Sequence, residues 1–83
     1  MTQRWSFVGM VVKDRHESAL RIQDLLTTYG DVVLGRLGVP LPEAGISAIG
    51  LILNGEQERT ALLTEKLREL DGVYVSTSSV IVE

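Results

Sequence analysis

The chain has 83 residues, of which 45% are hydrophobic and 23% are charged, and this balance indicates one small folded domain rather than a disordered segment. Its net charge is −3 and its eight lysines and arginines are dispersed, so we expect no direct binding to nucleic acid. The sequence has no cysteine, no apolar stretch near the roughly 18 residues of a membrane span and no signal-peptide pattern in residues 1–5, so we expect a cytoplasmic protein without membrane contact.

The first half of the chain reads as a strand, a helix and a strand. Residues 5–12 form an apolar, β-rich run, and Asp14 and Glu17 behind it have the spacing of a capping box. An amphipathic helix is predicted next, and Gly30 is placed to end it as a left-handed C-cap residue. Its apolar residues fall at i, i+3, i+4 and i+7: Ile22, Leu25, Leu26 and Tyr29. Residues 31–37 predict the second strand.

The second half repeats this pattern after a loop. Both prolines fall in residues 39–45, which predicts an irregular hairpin loop, and residues 46–53 are an apolar third strand. Asn54 and Gln57 repeat the capping spacing before a second helix, which Asp71-Gly72 ends. The residues predicted to line its buried face are Thr60, Leu63, Leu67 and Leu70.

The order of elements predicts the fold class. Residues 73–77 are the fourth predicted strand, and the serines at 78–79 allow a break before the apolar residues 80–82. The order β-α-β-β-α-β predicts a single α+β domain over residues 1–83, a ferredoxin-like, ACT-like sandwich with antiparallel sheet order 4-1-3-2 and two helices on one face. Strands one and three are apolar on both faces, as the central strands of this order should be.

One face of such a sheet has no cover in a single chain. The strand at 5–12 presents Phe7 and Val11 to one face and Val8, Met10 and Val12 to the other, and the sequence leaves open which set meets the helices. Either choice leaves large apolar side chains in water, more than a soluble monomer usually tolerates. We therefore predict a homo-oligomer, a dimer or tetramer through the sheet, with pairing between edge strands as a variant.

Catalytic and metal-binding patterns are missing from the sequence. The lack of cysteine removes thiolate chemistry, and His16 is the one histidine, whereas a metal site needs two or three such ligands. A metal shared between subunits, each giving one His16, stays open. No nucleophile elbow or phosphate-binding loop is present. We expect no catalytic residues, no resident cofactor or metal, and a protein that is not an enzyme.

Two kinds of residue are candidates for binding. Gly9 and Gly50 interrupt the central strands, making room either for a helix side chain such as Tyr29 or Leu67 or for a ligand or partner backbone. An anionic effector is the second hypothesis, because the first helix offers free N–H groups at its start and nearby arginines can add charge-assisted bonds. The candidate ligand-binding residues are Asp14, Arg15, His16, Gly35 and Arg36. A capped, solvated turn is the alternative interpretation.

Residues 11–15, Val-Val-Lys-Asp-Arg, resemble the first strand and turn of ACT-type ligand-sensing domains. Those domains usually continue with Pro-Gly where this chain has His16-Glu17, which argues against their usual amino-acid effector. The chain is also similar, along nearly its whole length, to small ACT-like proteins described as iron-only hydrogenase system regulators. The matching segments lie at residues 29–31, 35–40, 45–47 and 66–73.

That family is similar in fold to the C-terminal domain of nickel-responsive repressors, whose metal-binding histidines and cysteine this chain lacks. The resemblance implies a regulatory or sensor domain that self-associates and binds a small effector or a partner protein. A small dimeric ferredoxin-like enzyme, with its pocket between sheet and helices, is the alternative.

Overall fold

Four strands and two α-helices follow one another in the predicted order β-α-β-β-α-β. The computed structural model describes residues 3–13 and 16–83, apart from the side chain of His16. The elements are β1 Gln3–Lys13, α1 His16–Thr28, β2 Val33–Leu41, β3 Ile46–Asn54, α2 Gln57–Arg68 and β4 Val73–Val82, with a 3₁₀ turn at Pro42–Ala44.

The strands form one antiparallel sheet in the order β2-β3-β1-β4, which is the predicted order 4-1-3-2 read from the other edge. Successive side chains of a strand point to opposite faces, so each central strand divides its apolar residues between the two faces. One face packs against both helices. There, Val8 and Met10 of β1 and Leu51 of β3 share a core with Ile22 of α1 and Leu63 of α2.

The two helices pack against the sheet through their apolar stripes. Leu63 and Leu67 of α2 are completely buried, as is Leu53 of β3, and Ile22 of α1 is 1% exposed. Each such side chain stabilises the fold by about 1.5–3 kcal/mol through burial alone. The predicted buried face of α2 is confirmed for Thr60, Leu63 and Leu67, and Thr64 is buried beside them. Leu70, which we predicted as part of this face, lies beyond the end of α2 and is partly buried against the core.

The predicted end of α1 at Gly30 and the predicted start of α2 at Asn54 both differ from what the structure shows. Gly30 does not adopt a positive φ; α1 ends at Thr28, and the Gly30 N–H donates to the Thr27 carbonyl at 3.2 Å. Asn54 stays in β3, where it pairs with Trp5, so α2 starts only after Glu56, whose side chain makes no capping hydrogen bond. Both predictions are wrong, because turn and sheet contacts override local capping preference. The predicted box at Asp14 lies outside the described residues.

The loop that we predicted over residues 39–45 is shorter than expected. β2 continues through Pro40, opposite Ser47, to Leu41, and only the 3₁₀ turn and Gly45, with φ +66°, connect it to β3. Proline is tolerated there because an edge strand has one side without hydrogen-bonding partners. β4 likewise runs without a break through both serines to Val82, because β1 extends to Gln3 and pairs with it.

Candidate functional site

The face of the sheet opposite the helices, here called the open face, is built from three rows that cross all four strands. The strand registers place the residues of each row directly beside one another. In the order β2, β3, β1 and β4, the first row is Gly35, Ile52, Phe7 and Ser78, the second is Leu37, Gly50, Gly9 and Ser76, and the third is Val39, Ala48, Val11 and Tyr74.

The open face is apolar and exposed. Phe7, Val11 and Ile52 on the central strands are 40–43% exposed, and Leu37 on β2 reaches 69%. Side chains of this size at the centre of a sheet are normally covered. The structure therefore decides the question that the alternation left open, since Val8, Met10 and Val12 meet the helices while Phe7 and Val11 face outward.

The middle row forms a groove across the sheet. Gly9 and Gly50 lie side by side in the register, and a Cβ atom added to either would meet nothing within 4 Å. Two adjoining depressions of about 560 Å³ each share these glycines and Leu37. The interpretation that these glycines make room for helix side chains is wrong, because they face away from the helices.

Of the candidate ligand-binding residues, the structure describes Gly35, Arg36 and the backbone of His16. Asp14, Arg15 and the side chain of His16 lie outside the described part of the chain, next to Lys13 at the end of β1. Gly35 follows a bulge in β2, and with Arg36 it lines one of the depressions on the open face. Lys13 lies six residues along β1 from the row of Gly35, which is about 20 Å at the rise of an antiparallel strand.

A charged cluster that the sequence did not reveal lies where α1 passes into β2. The Arg59 Nε and Nη2 groups of α2 donate to both carboxylate oxygens of Asp31, at 2.8 and 2.7 Å. Nη2 also donates to the Thr28 carbonyl at 3.3 Å, and the guanidinium lies 4.7 Å from the centre of the Tyr29 ring. The separation of 28 residues between Arg59 and Asp31 hides this pair from any local motif.

The electrostatic effect of this cluster is reciprocal. The hydrogen bond from Arg59 lowers the pKa of Asp31 below its usual 3.8, and the same bond raises the pKa of Arg59. Both partners are satisfied by each other, with side chains that are 39% and 57% exposed. The cluster therefore acts as a tie between α2 and the α1–β2 connection rather than as a reactive centre.

The space between the helices and the centre of the sheet is filled with side chains, while a cleft of about 290 Å³ remains between α1 and the β2–β3 half of the sheet, beside Ile22, Pro40 and Ser47. Leu53, Leu63 and Leu67 have no exposed surface, and the core residues around them are continuous from one layer to the other. Across residues 3–13 and 16–83, no three His, Asp or Glu side chains are close enough together to hold a metal ion. Neither of the described helices is long and apolar enough to span a membrane.

Comparison with known proteins gives one family. The model of the TM1266-like family, described as "Iron-only hydrogenase system regulator, putative", matches residues 4–77. A search of curated proteins found no match. The structure of TM1266 from Thermotoga maritima is similar with a TM-score of 0.89 and 28% identity, over 94% of this chain and 98% of that one.

Two further structures share the fold at lower identity. The ACT domain from GTP pyrophosphokinase of Chlorobium tepidum has a TM-score of 0.70 and 18% identity, over 94% of this chain and 99% of that one. CPII from Thiomonas intermedia, a nitrogen regulatory PII-like protein, has a TM-score of 0.58 and 17% identity, over 99% and 95%. Their likeness shows an ACT-like arrangement of the same six elements.

Proposed function

Because this chain belongs to the TM1266-like family of iron-only hydrogenase system regulators, we propose that it is a non-enzymatic regulatory module that self-associates through the open face and binds a small effector or a partner protein. The family and the ACT-like fold support a regulatory role. The proposal goes beyond the family assignment in three respects, which are self-association, the effector and a cytoplasmic location.

The observation that carries the proposal is the exposed apolar surface of the open face. Four strands spaced about 4.8 Å apart, over a length of about 30 Å, give the open face a projected area on the order of 600 Å². Protruding side chains increase the surface that a partner can cover. A standard protein interface buries about 800 Å² on each partner, so the open face has the size that one second copy can cover. Phe7, Leu37 and Ile52 would leave water in that contact, which favours association.

The lining of the cleft between α1 and the sheet favours a regulator over the alternative of a small dimeric enzyme. Such an enzyme needs reactive groups in a pocket between the two layers, whereas the described residues that line this cleft of about 290 Å³ are apolar apart from Gln23 and Ser47, and none of them is charged. The larger depressions, of about 560 Å³ each, lie on the open face around Gly9 and Gly50. Their walls are apolar, as suits a contact surface.

The effector site that we propose includes Asp14, Arg15 and His16 before α1, together with Gly35 and Arg36 on β2. Free N–H groups at a helix start and two arginines suit an anionic ligand. Lys13, which precedes the first part in the sequence, lies about 20 Å along the sheet from the row of Gly35 at the rise of a strand, so we expect a small ligand to contact one part, or both only where two copies meet.

The test of the proposed function is the mass in solution of the wild type and of Ile52→Asp, by size-exclusion chromatography with light scattering. Ile52 is 41% exposed on the open face, so the charge leaves the core intact and is buried only by association. We expect the wild type at a multiple of 9.1 kDa and the variant at half the wild-type mass.

Leu62→Asp is the matched control. Leu62 is 43% exposed, but it lies on α2, away from the open face, so this variant should keep the wild-type mass. A wild type of 9.1 kDa at micromolar concentration, or an unchanged mass for Ile52→Asp, would contradict association through the open face.

A further inference from the structure

The two edges of the sheet are built differently. β2 carries features that discourage strand pairing: a bulge between Val33 and Gly35, the charge of Arg36 and the proline at Pro40. β4 is a straight ten-residue strand, Val73–Val82, without a charged residue, proline or glycine. An edge of this length and composition is a template for another strand, so β4 is the edge that is open to pairing.

The sequence of β4 is nearly symmetric about Thr77. Three hydroxyl-bearing residues surround this position, and apolar residues lie on both sides of them. When β4 is laid antiparallel to a copy of itself with Thr77 opposite Thr77, apolar residues face apolar residues and hydroxyl-bearing residues face one another in all pairs but one. The cross-strand pairs are Val73 with Ile81, Tyr74 with Val80, Val75 with Ser79 and Ser76 with Ser78.

The faces of the sheet restrict the register of such a pair. A two-fold axis that joins two strands edge to edge is perpendicular to the sheet, so residues opposite each other must point to the same face. The pairing must therefore be centred on a residue rather than on a peptide bond. Centring on Ser76 would leave residues 80–82 unpaired, and centring on Ser78 would set Ser76 against Val80 on the open face. Centring on Thr77 keeps every open-face pair alike and leaves its one unlike pair, Val75 with Ser79, on the helix side.

We propose that β4 pairs with β4 of a second copy about a two-fold axis at Thr77, which joins two four-stranded sheets into one of eight strands. This contact covers surface that the single chain leaves in water, since Tyr74, Val80 and Ile81 are 57%, 51% and 56% exposed. On the open face, Tyr74 of one copy lies beside Val80 of the other, whose neighbour in β1 is Trp5.

This edge contact is independent of the open-face contact in the proposed function. The open face is perpendicular to the edge, so one chain can use both surfaces at once, and together they give a tetramer. Between the two β4 strands, only hydroxyl-bearing and apolar side chains meet, so no like charges face each other. An isologous contact requires this, because it brings identical surfaces together.

The test uses the absence of cysteine from the chain, because one engineered thiol can then form one disulfide only with another copy. In the pairing centred on Thr77, the two Cα atoms at this position are about 5 Å apart, within the range of a disulfide. The matched control is Ser79→Cys, whose Cα atoms would be about 14 Å apart. Both variants are made in the Ile52→Asp background and oxidised with copper-phenanthroline at micromolar concentration.

We expect Thr77→Cys to give about tenfold more reducible covalent dimer than Ser79→Cys, because only the first pair meets disulfide geometry. Equal cross-linking of the two variants, no dimer from Thr77→Cys, or preferential cross-linking of Ser78→Cys would overturn the proposal. Since Ile52→Asp removes the open-face contact, a failure here is distinct from a failure of the proposed function.

A second measurement does not depend on disulfide formation. Arg68 Nη2 donates to the Thr77 hydroxyl at 3.4 Å, so Arg68→Ala is included in the variants of this measurement. Thr77→Glu and Thr77→Lys then each place like charges opposite each other at the axis, while a mixture of the two places opposite charges there. In the Ile52→Asp background we expect each variant alone at 9.1 kDa and their equimolar mixture at twice that mass. A mixture that stays at 9.1 kDa also overturns the proposal.

Discussion

Arg59 joins three neighbouring residues of the α1–β2 connection to the first turns of α2. It donates to Asp31 and to the Thr28 carbonyl and lies over the Tyr29 ring. A bidentate arginine–carboxylate pair attracts the two groups and also fixes their relative orientation, whereas a lysine would supply only the attraction. At the scale of one residue, Arg59 therefore orients α2 against the connection that leads into the edge strand β2.

The Arg59–Asp31 pair should make the free energy of unfolding depend on pH in the acid range. Because the folded-state pKa of Asp31 is lowered, its contribution is fully present above the usual value of 3.8 and is lost as the pH falls through the lower folded-state pKa. Asp31→Asn should therefore lower the thermal midpoint at pH 6. The difference in midpoint between this variant and the wild type should be smaller near pH 3. Thermal unfolding followed by circular dichroism at the two pH values measures this.

Asp24→Asn, the same change at an exposed carboxylate of α1, is the control for the loss of one negative charge. A wild type and Asp31→Asn that keep the same difference in midpoint from pH 6 to pH 3 would refute a role of this pair in acid stability.

At the scale of elements, a hydrogen bond links α1 to the turn before β4. The Ser18 hydroxyl, which is buried, donates to the Asp71 carbonyl at 2.6 Å. Lys13 at the end of β1 approaches the same turn, since its N–H donates to the Gly72 carbonyl at 2.9 Å. The start of α1, the end of β1 and the turn after α2 thus form one hydrogen-bonded corner of the fold.

Removal of this hydroxyl should weaken the corner. We expect Ser18→Ala to lower the free energy of unfolding in urea by about 1–2 kcal/mol, because a partly buried carbonyl loses its donor. Thr27→Ala is the control, since the Thr27 hydroxyl donates to the Gln23 carbonyl within α1 at an exposed position. It should change the stability by less than about 0.5 kcal/mol. Equal effects of the two variants would show that Ser18 does not join separate elements.

At the scale of the whole molecule, the two faces of the sheet have opposite roles. One face packs the core against both helices, and the other carries an apolar groove lined by Gly9, Gly50 and Leu37. The helices stabilise a single chain, while the open face and the β4 edge are the surfaces through which we propose that copies meet.

The proposed effector is best sought by a thermal-shift screen of anionic metabolites on the intact assembly. A ligand at 100 times its Kd adds about 2.7 kcal/mol, a shift of roughly 10–20 degrees in a domain of this size. We expect the shift to disappear in Arg15→Ala combined with Arg36→Ala, and the two single variants to show which part of the site the ligand contacts.

Arg4→Ala combined with Arg21→Ala removes the same amount of charge at other positions and should keep the shift. A ligand-induced shift that survives the loss of Arg15 and Arg36 together would refute the proposed placement of the site.

Much of the fold was predictable from the sequence because its signals are local and periodic. The alternation in residues 5–12 and 46–53 indicated central strands, and the spacing of Leu63 and Leu67 indicated the buried face of α2; the order of elements then left one sheet order. The family resemblance followed from short segments, which the match to residues 4–77 confirmed.

The tertiary structure decided what depends on pairing between distant residues. Period-two alternation cannot say which side of a strand meets the helices, so only packing placed Phe7, Val11 and Ile52 on the open face. Pairing with β1 likewise carried β4 through its serines and kept Asn54 of β3 out of a helix cap. The alignment of Gly9 with Gly50 and the approach of Arg59 to Asp31 arise only when strands and helices far apart in sequence are brought together by burial of the core.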